Sequence, residues 1–538
     1  MRIRKFLRIT SCFICLLALP NINLMAQAVD FEKQKVTIAL ADEPPSLNSI
    51  KSTDQISFFI LGHTNEGLLN YGKRNKLAAG VAEKWEVNDK GAKFWLRKNA
   101  KWSDGKPVTA HDFVFAWRTV VNPTTASEYA FIMYPVKNAE AITNGKKSPD
   151  TLGVKAIDDY TLEVTFERPC GYFLGLMAFG TYYPVREDFY KAQGERYAAD
   201  KENLLFNGPF KLTHWVHGAA LKLEKNEHYW NKGAVHLNEV DMPYITSDAL
   251  ARFNLFKDGK IATTGLDGET LKNALQNKYK IRKFSDGAIF YQEFNYREGR
   301  VTANIHFRKA LQLVFDPNEL VDKVVAVPGN IPARSLIPLW VKGVEDKFRK
   351  EYPAKEISVD IKKAKEHLAI AKKELGLTEF PPLVLLVGDS PTASKQAEYL
   401  QNLYKKNLGL DVKIDKQIFK QRLAKMSVGD FDMVSAGWGP DFNDPMTFAD
   451  LFASWNENNN GRYNNPEYDK LIRIAQNSAD PKIRMDAFSK MQDIIIDDVA
   501  ILLQYEAGSV YVQSRKLKGV SRRVIGADPS YVNARVVE

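Results

Sequence analysis

The sequence predicts an α/β protein of more than one domain, and three observations carry that prediction. Strand-like and helix-like segments interleave along the whole chain. Residues 383–436 read strand, helix, strand, helix, strand, which is the unit of a parallel sheet. Removing a 28-residue leader from the 538 residues leaves 510, too many for one core, so two or three domains are expected.

The leader comes first in the chain. Arg2, Arg4, Lys5 and Arg8 form a basic start, residues 13–19 are apolar, and Ala26-Gln27-Ala28 has the small-x-small form of a signal-peptidase site. Residues 1–28 therefore read as a cleaved secretion signal. The apolar run is interrupted by Pro20 and Asn21 and is too short to cross a bilayer. Neither Cys12 nor Cys15 sits in a convincing lipoprotein motif, since Ile14 stands where a small residue is wanted before Cys15. An exported protein without an anchor needs an outer membrane to retain it, which points to the periplasm.

Residues 36–40 predict a strand, and residues 161–166 alternate with period two and predict another. Thr109-Ala110-His111-Asp112 has capping-box form and is followed by Phe113, Ala116, Trp117 and Val120 at helical spacing. Phe307, Ala310, Leu311 and Val314 repeat that spacing. Asp316-Pro317-Asn318-Glu319 then opens a new helix, with the glutamate reaching back. Residues 360–375 predict an amphipathic helix stopped by Gly376. In the late unit, strands are expected at 383–387, 411–415 and 431–436. Helices are expected at 393–407, with Ala397, Leu400, Leu403 and Tyr404 inward, and at 418–426. The Asn-rich stretch 455–461 reads as an exposed loop. Trp85, Trp95, Trp102 and Trp117 fall within strand or helix patterns and read as core.

Composition excludes several functions. Without the four leader charges the balance falls from +10 to +6, an ordinary surface, and no block of five or six basic residues argues for nucleic acid. Only Cys170 follows the leader, which leaves no intrachain disulfide and no thiolate metal site. No Gly-x-Ser-x-Gly, His-Glu-x-x-His or Walker A pattern occurs. The eight histidines are scattered, among them His111, His214 and His217, so no metal and no cofactor is expected. The stretch 441–444 faintly resembles a calcium loop, but Met446 and Phe452 stand where that loop needs glycine and glutamate.

The segment after the third strand of the parallel unit, Gly437 to Pro445, is the candidate binding segment, because open sheets bind ligands beyond the carboxyl ends of their strands. Glycines let a backbone approach a ligand closely. Trp438 supplies an apolar face, and Asp441 places a carboxylate at the mouth of the sheet. An unpaired buried charge is costly, so the carboxylate needs a partner. Two readings stand side by side. The partner is the α-ammonium of a peptide, held by charge-assisted hydrogen bonds, or Asp441 caps its own following loop or helix.

Seven segments carry a resemblance, in one order along the chain: Leu96 to Gly105 with Pro107 to Phe113; Asn122 to Ser127; Leu152 to Ala156; Asn207 to Phe210; Asn226 to Trp230; Phe307 to Leu311; and Ala436 to Trp438 with Asp441 to Pro445. The chain resembles the bacterial extracellular solute-binding family of oligopeptide-, dipeptide- and nickel-binding proteins, and within it the oligopeptide-binding branch. The resemblance implies a two-lobed periplasmic binding protein (Venus-flytrap) fold of the α/β class, with an extra third domain and a hinge of two chain crossings. It implies a first lobe of residues 29–60, 205–286 and 509–538, an extra domain of 61–204, and a second lobe of 287–508. It further implies that Asp441 pairs with the ligand's amino terminus and that Gly437, Trp438 and Gly439 lend their backbone to the peptide as a neighbouring strand. Ser52, Thr53, Asp54 and Gln55 would do likewise from the other lobe, and Tyr129 would reach the ligand backbone. Such β-augmentation gives affinity without reading sequence, and hydrated pockets tolerate many side chains.

Departures from that pattern leave one end of the ligand open. Where some relatives place arginine or histidine for the peptide carboxylate, this chain has Ser435, Met426 and Ala393. Phe419 stands where some have tryptophan, and Gly439 where some have cysteine. Lys395, Lys420 and Lys425 are nearby, and each reads as a solvated helix-face lysine. The function expected is the substrate-binding component of a peptide ABC importer: a monomer that binds short peptides and meets an inner-membrane permease and its ATPase. The alternative is a receptor of the same fold for a murein peptide, opine, sugar or metal chelate.

Overall fold

A computed structural model describes residues 27–72 and 76–538. The expected secretion signal falls on residues 1–28 and so lies, but for its last two residues, outside the described residues. The rest forms two α/β lobes with a third, smaller unit set against them.

The first lobe is built on a five-stranded sheet. Its strands lie in the order Val29–Asp30, Lys35–Leu40, Glu239–Ile245, Ala220–Lys225 and Phe210–Val216. The pair Lys35–Leu40 and Glu239–Ile245 is parallel and the others are antiparallel. Val36, Ile38 and Leu40 are buried, as period two requires. Helix α1, Gln55–Thr64, starts at Asp54, whose carboxylate accepts from the backbone N–H and the hydroxyl of Ser57. It runs through the border expected at 60/61.

The extra unit carries a four-stranded antiparallel sheet in the order Ala82–Asn88, Gly91–Leu96, Thr161–Thr165 and Val154–Asp158. Helix Ala110–Val121 packs on it, with Phe113, Ala116, Trp117 and Val120 fully buried. Asp112 accepts from the Thr109 backbone N–H at 2.8 Å, as the capping box predicts. Trp102 and Trp117 are core, and Trp85 packs partly against it. Trp95 corrects the expectation: it is only half-buried, and the ammonium groups of Lys84 and Lys93 stand 4.3 and 5.5 Å from its ring. Period two puts it on the face opposite buried Phe94 and Leu96.

The second lobe contains the parallel unit. Its path strands are β1 (Thr263–Leu266), β2 (Arg282–Phe294), β3 (Leu383–Gly388), β4 (Val412–Gln417), β5 (Met433–Trp438) and β6 (Ile501–Gln513). Helix α2, Pro391–Leu408, joins β3 to β4, and α3, Phe419–Val428, joins β4 to β5. The spatial order is β1-β6-β2-β5-β3-β4, with a short strand at Ile331–Pro332 beside β6. β3 is parallel to both β4 and β5, which is the predicted unit, while β5 is antiparallel to β2. Ala397, Leu400 and Tyr404 are buried under α2. At Asp316 the sequence opens only one α-turn, Pro317–Glu319, which passes into a π-helix, Leu320–Val325. Glu319 does not reach back but accepts from Lys323 and Tyr399.

β2 and β6 are the two longest strands and pair antiparallel over most of their length. Their register shifts between Ser285 and Ile289 and again between Phe290 and Tyr291. Of the positions expected for the chain crossings, 508/509 lies just outside the first of these irregularities, where Ser285 pairs with Gly508, and 286/287 lies within it. Gly287 lies there with φ +75°, a conformation that glycine adopts without penalty.

Candidate functional site

A cleft of about 660 Å³ opens between the lobes, and the segment after β5 forms one wall of it. The backbone there has an unusual property. On one side β5 pairs with β2 as far as Trp438. On the other its ladder with β3 ends at Met433 and Val434. From Ser435 onward that second side has no neighbouring strand among the described residues, and Ala436, Gly437, Trp438 and Gly439 line the cleft.

Asp441 sits where this segment turns, 5 % exposed. Its carboxylate accepts from the Tyr129 hydroxyl at 3.2 and 3.3 Å, and its backbone N–H donates to Thr447 Oγ1 at 2.9 Å. Burial pushes the carboxyl well above the usual carboxylate range, and the single hydroxyl only partly offsets this. The side chain does not cap its own loop. Asp444 does that instead: it accepts from Met446 N–H at 3.0 Å and forms a two-pronged ion pair with Arg484 at 2.7 and 2.9 Å. Phe442 stacks on Tyr172 at 4.9 Å. The loop is thus held by its neighbours, while Asp441 lines the cleft with its carboxylate engaged by Tyr129.

Tyr129 belongs to the extra unit and Asp441 to the second lobe, so their hydrogen bond crosses between them. Tyr129 is buried, stacks on Trp438 at 6.1 Å and meets Phe58 edge-on at 6.1 Å. Burial first, then the adjacent Asp441, drives its phenol far above the ordinary range, which keeps it a donor. The Trp438 indole N–H is enclosed and has no partner among the described residues.

Ser52, Thr53, Asp54 and Gln55 all line the cleft from the first lobe, but with side chains in different employment. Ser52 Oγ donates to the carbonyls of Ser46 and Asn48. Asp54 caps α1. Gln55 faces Gly439 so closely that a Cβ on Gly439 would lie 2.9 Å from Gln55 Nε2. A Cβ on Gly437 would lie 2.8 Å from the Phe290 ring. Both glycines therefore answer to protein neighbours as well as to the cleft.

Phe419 and Met426 line the cleft, and Ser435 and Ala393 do not. The side-chain period of two puts Ser435 on the face opposite Ala436 and Trp438, and only its carbonyl is engaged, by Arg422 Nη1 at 2.9 Å. Lys395 and Lys420 are exposed, and Lys425 pairs with Asp415 and Asp430.

The sequence reading missed several cleft residues. Arg422 stands one helical turn before Met426 on α3, which places both on one helix face. Its guanidinium lies 5.3 Å from the Phe419 ring, its Nε is enclosed without a partner, and burial lowers its pKa. Asp42 lines the same region. Burial and then the neighbouring Asp389 push its carboxyl up to about 6. Asn458 and Asn460 also line the cleft. They come from the Asn-rich stretch, which is not the exposed loop expected. Asn456, Asn458 and Asn459 are buried at 0, 8 and 1 % exposure. Their amides serve nearby carbonyls: Asn456 donates to Asp450 O, Asn459 to Tyr463 O, and Asn458 across the cleft to Glu128 O at 3.3 Å. Polar side chains whose hydrogen bonds are met inside can be buried.

The lobes are closed on each other. Beyond the contacts already named, Arg473 pairs with Glu140 at 2.5 Å and Arg168 donates to Gln476 at 3.1 Å, both between the extra unit and the second lobe. Among the described residues no group of three or more His, Cys, Asp or Glu could hold a metal ion, and no helix is long and apolar enough to cross a membrane.

Comparison with known proteins places these features among relatives. The family of bacterial extracellular solute-binding proteins, family 5 Middle, matches residues 76–460. The oligopeptide-binding protein OppA of Bacillus subtilis is 33 % identical over 498 residues, 91 % of this chain and 90 % of that protein. Among solved structures, Listeria monocytogenes OppA bound to peptide superposes with a TM-score of 0.89 at 34 % identity, covering 94 % of this chain and 99 % of that one. The Escherichia coli murein tripeptide binding protein MppA superposes at 0.86 and 29 % identity, over 94 % of this chain and 99 % of that one. Its unliganded open form reaches only 0.62, over 95 % and 98 %, which agrees with the closed arrangement of the lobes here.

Proposed function

The chain belongs to the bacterial extracellular solute-binding proteins of family 5, and on that premise we propose that it captures short peptides as the binding component of an ABC importer, working in the periplasm with an inner-membrane permease and its ATPase. It is a binding protein and not an enzyme, as its family is. The observation that carries the peptide reading is Asp441, a carboxylate enclosed in the cleft with one phenol hydroxyl for a partner. An α-ammonium supplies the missing positive charge and three donors. The unpaired side of β5 supports the second half of the reading, since it offers main-chain donors and acceptors to an added strand. Ser52 to Gln55 would flank the ligand from the first lobe, with Trp438 and Tyr129 enclosing its first residues.

The mechanism follows from where the partners sit. A ligand that touches both walls stabilises the closed arrangement over the open one. Binding energy is spent on bringing the lobes together, and the closed surface is what the permease would meet.

The test is titration calorimetry with tri-, tetra- and penta-alanine against their N-acetylated forms. The free-amine peptides should bind and the acetylated ones should lose at least tenfold. Equal affinity of the two forms refutes the amine anchor. Mass spectrometry of ligands that co-purify then separates a nutrient peptide from a murein peptide or another cargo.

A further inference from the structure

The family-matched positions carry no charge for the far end of a peptide, yet the cleft is lined by Lys51, Arg422 and Arg523, and of these Arg422 is the one that touches β5. Arg422 lies on α3 at the start of the unpaired side of β5, where its Nη1 takes the Ser435 carbonyl at 2.9 Å. Among the described residues no carboxylate comes within ion-pair distance of it. Asp42 and Asp389 act on it only at longer range. A guanidinium has five N–H donors in a fixed fork, and Nε here is enclosed without a partner. A planar carboxylate is the group that this fork matches.

Building on the peptide reading above, we infer that Arg422 holds the ligand's terminal carboxylate and so sets the length of peptide that fits. The two ends of the ligand's path along β5 are then Asp441 and Arg422, with the unpaired stretch of β5 between them. A peptide with its ammonium at Asp441 and its carboxylate near Ser435 runs opposite to β5, as an antiparallel added strand. The six residue steps from Ser435 to Asp441 span at most about 20 Å at roughly 3.3 Å per residue. The reach of the two side chains shortens that gap, so the ligand is limited to about three to five residues.

The experiment uses tri-, tetra-, penta- and octa-alanine, each as free acid and as C-terminal carboxamide, with the full-length mature protein and its Arg422→Gln and Arg422→Lys variants. In the wild type, amidation should weaken the best-bound of the three shorter peptides by about 10- to 100-fold, the worth of one charge-assisted contact, and should matter little for octa-alanine. Arg422→Gln should bring the ratio of free acid to amide below twofold, and Arg422→Lys should keep part of it. A merely structural role for Arg422 would lower both affinities and leave their ratio alone. A wild-type ratio near one at every length overturns the proposal without any variant, and so does a ratio unchanged in Arg422→Gln. The N-acetylated peptides separate the two failures. If acetylation still abolishes binding while the ratio is one, the amine anchor stands and only the Arg422 assignment falls. If acetylation has no effect, both fall.

Discussion

Replacing Asp441 by Asn exchanges one carboxylate oxygen for an amide of the same shape, and its effect follows from three features of the closed cleft. The side chain is 5 % exposed, it receives only the Tyr129 hydroxyl, and burial has already driven its pKa well upward. A peptide ammonium seated beside it is desolvated with it. The substitution leaves that ammonium without its counter-charge, and truncating one partner of a buried, hydrogen-bonded charge pair costs about 2–5 kcal/mol. That corresponds to roughly 30- to several-thousand-fold weaker binding. The assay is calorimetry at pH 7 with tetra-alanine and N-acetyl-tetra-alanine, run as a double-mutant cycle. Each single change should produce nearly the whole loss, and the two together little more than either. An affinity for tetra-alanine within threefold of wild type, or losses that simply add, would refute the reasoning. The same residue predicts a pH effect on the ligand-free closed state. Its folded pKa lies above the unfolded value near 4, so the folded protein holds the proton longer and this site's contribution to stability falls as pH rises from about 4. Asp441→Asn removes that decline. It should melt higher than wild type at pH 8 and close to it at pH 4, and the opposite order would count against the buried-charge account.

Four further outcomes are expected. Tyr129→Phe removes the one donor that Asp441 receives from the protein and should weaken binding of free-amine peptide by about 1 kcal/mol without altering the preference for a free amine, as calorimetry can check. Gly437→Val puts a Cβ 2.8 Å from the Phe290 ring, which is itself stacked on Tyr505 at 4.8 Å, and should destabilise the second lobe by about 1–3 kcal/mol in urea titrations. Glu140→Ala breaks a partly exposed pair with Arg473 and should cost no more than about 1 kcal/mol of peptide affinity, a loss that disappears in high salt. Glu293 is enclosed in the second lobe, and burial pushes its carboxyl up to about 7. Its contribution to stability is complete below about pH 4.5 and is lost as pH rises through 7, so Glu293→Gln should flatten the melting curve against pH and raise it above pH 7.

The parallel unit of the second lobe was legible in the sequence because its strands are short apolar runs separated by helices that begin and end on clear signals. Ser390 caps α2 and Gly409 ends it, and the inward positions Ala397, Leu400 and Tyr404 follow from a period near 3.6. Asp441 was legible only in part, since the residues alone left a peptide ammonium and a cap on its own loop as open alternatives, and it is Asp444 that the structure puts in the cap. Arg422 was not. Its partner is a carbonyl thirteen residues on, and nothing in a helical lysine- and arginine-containing stretch distinguishes the one side chain that folds back under the cleft. Ser435 was misplaced for a related reason: alternation along β5 turns it from the cleft, and a match of positions alone does not carry that parity. The Asn-rich stretch was misread because polarity was taken for exposure. Its amides bind the carbonyls of their own loop, and a segment that satisfies itself in this way needs no water.

The one-sided pairing of β5 has a consequence for the cell. Main-chain groups are common to every peptide, so a receptor whose grip rests on them would distinguish peptides of a fitting length little by their side chains. Among peptides of that length, which one is captured would then follow relative abundance more than side-chain preference in the receptor. The same breadth would admit any compound that carries an amine, a carboxylate and a few amide bonds between them.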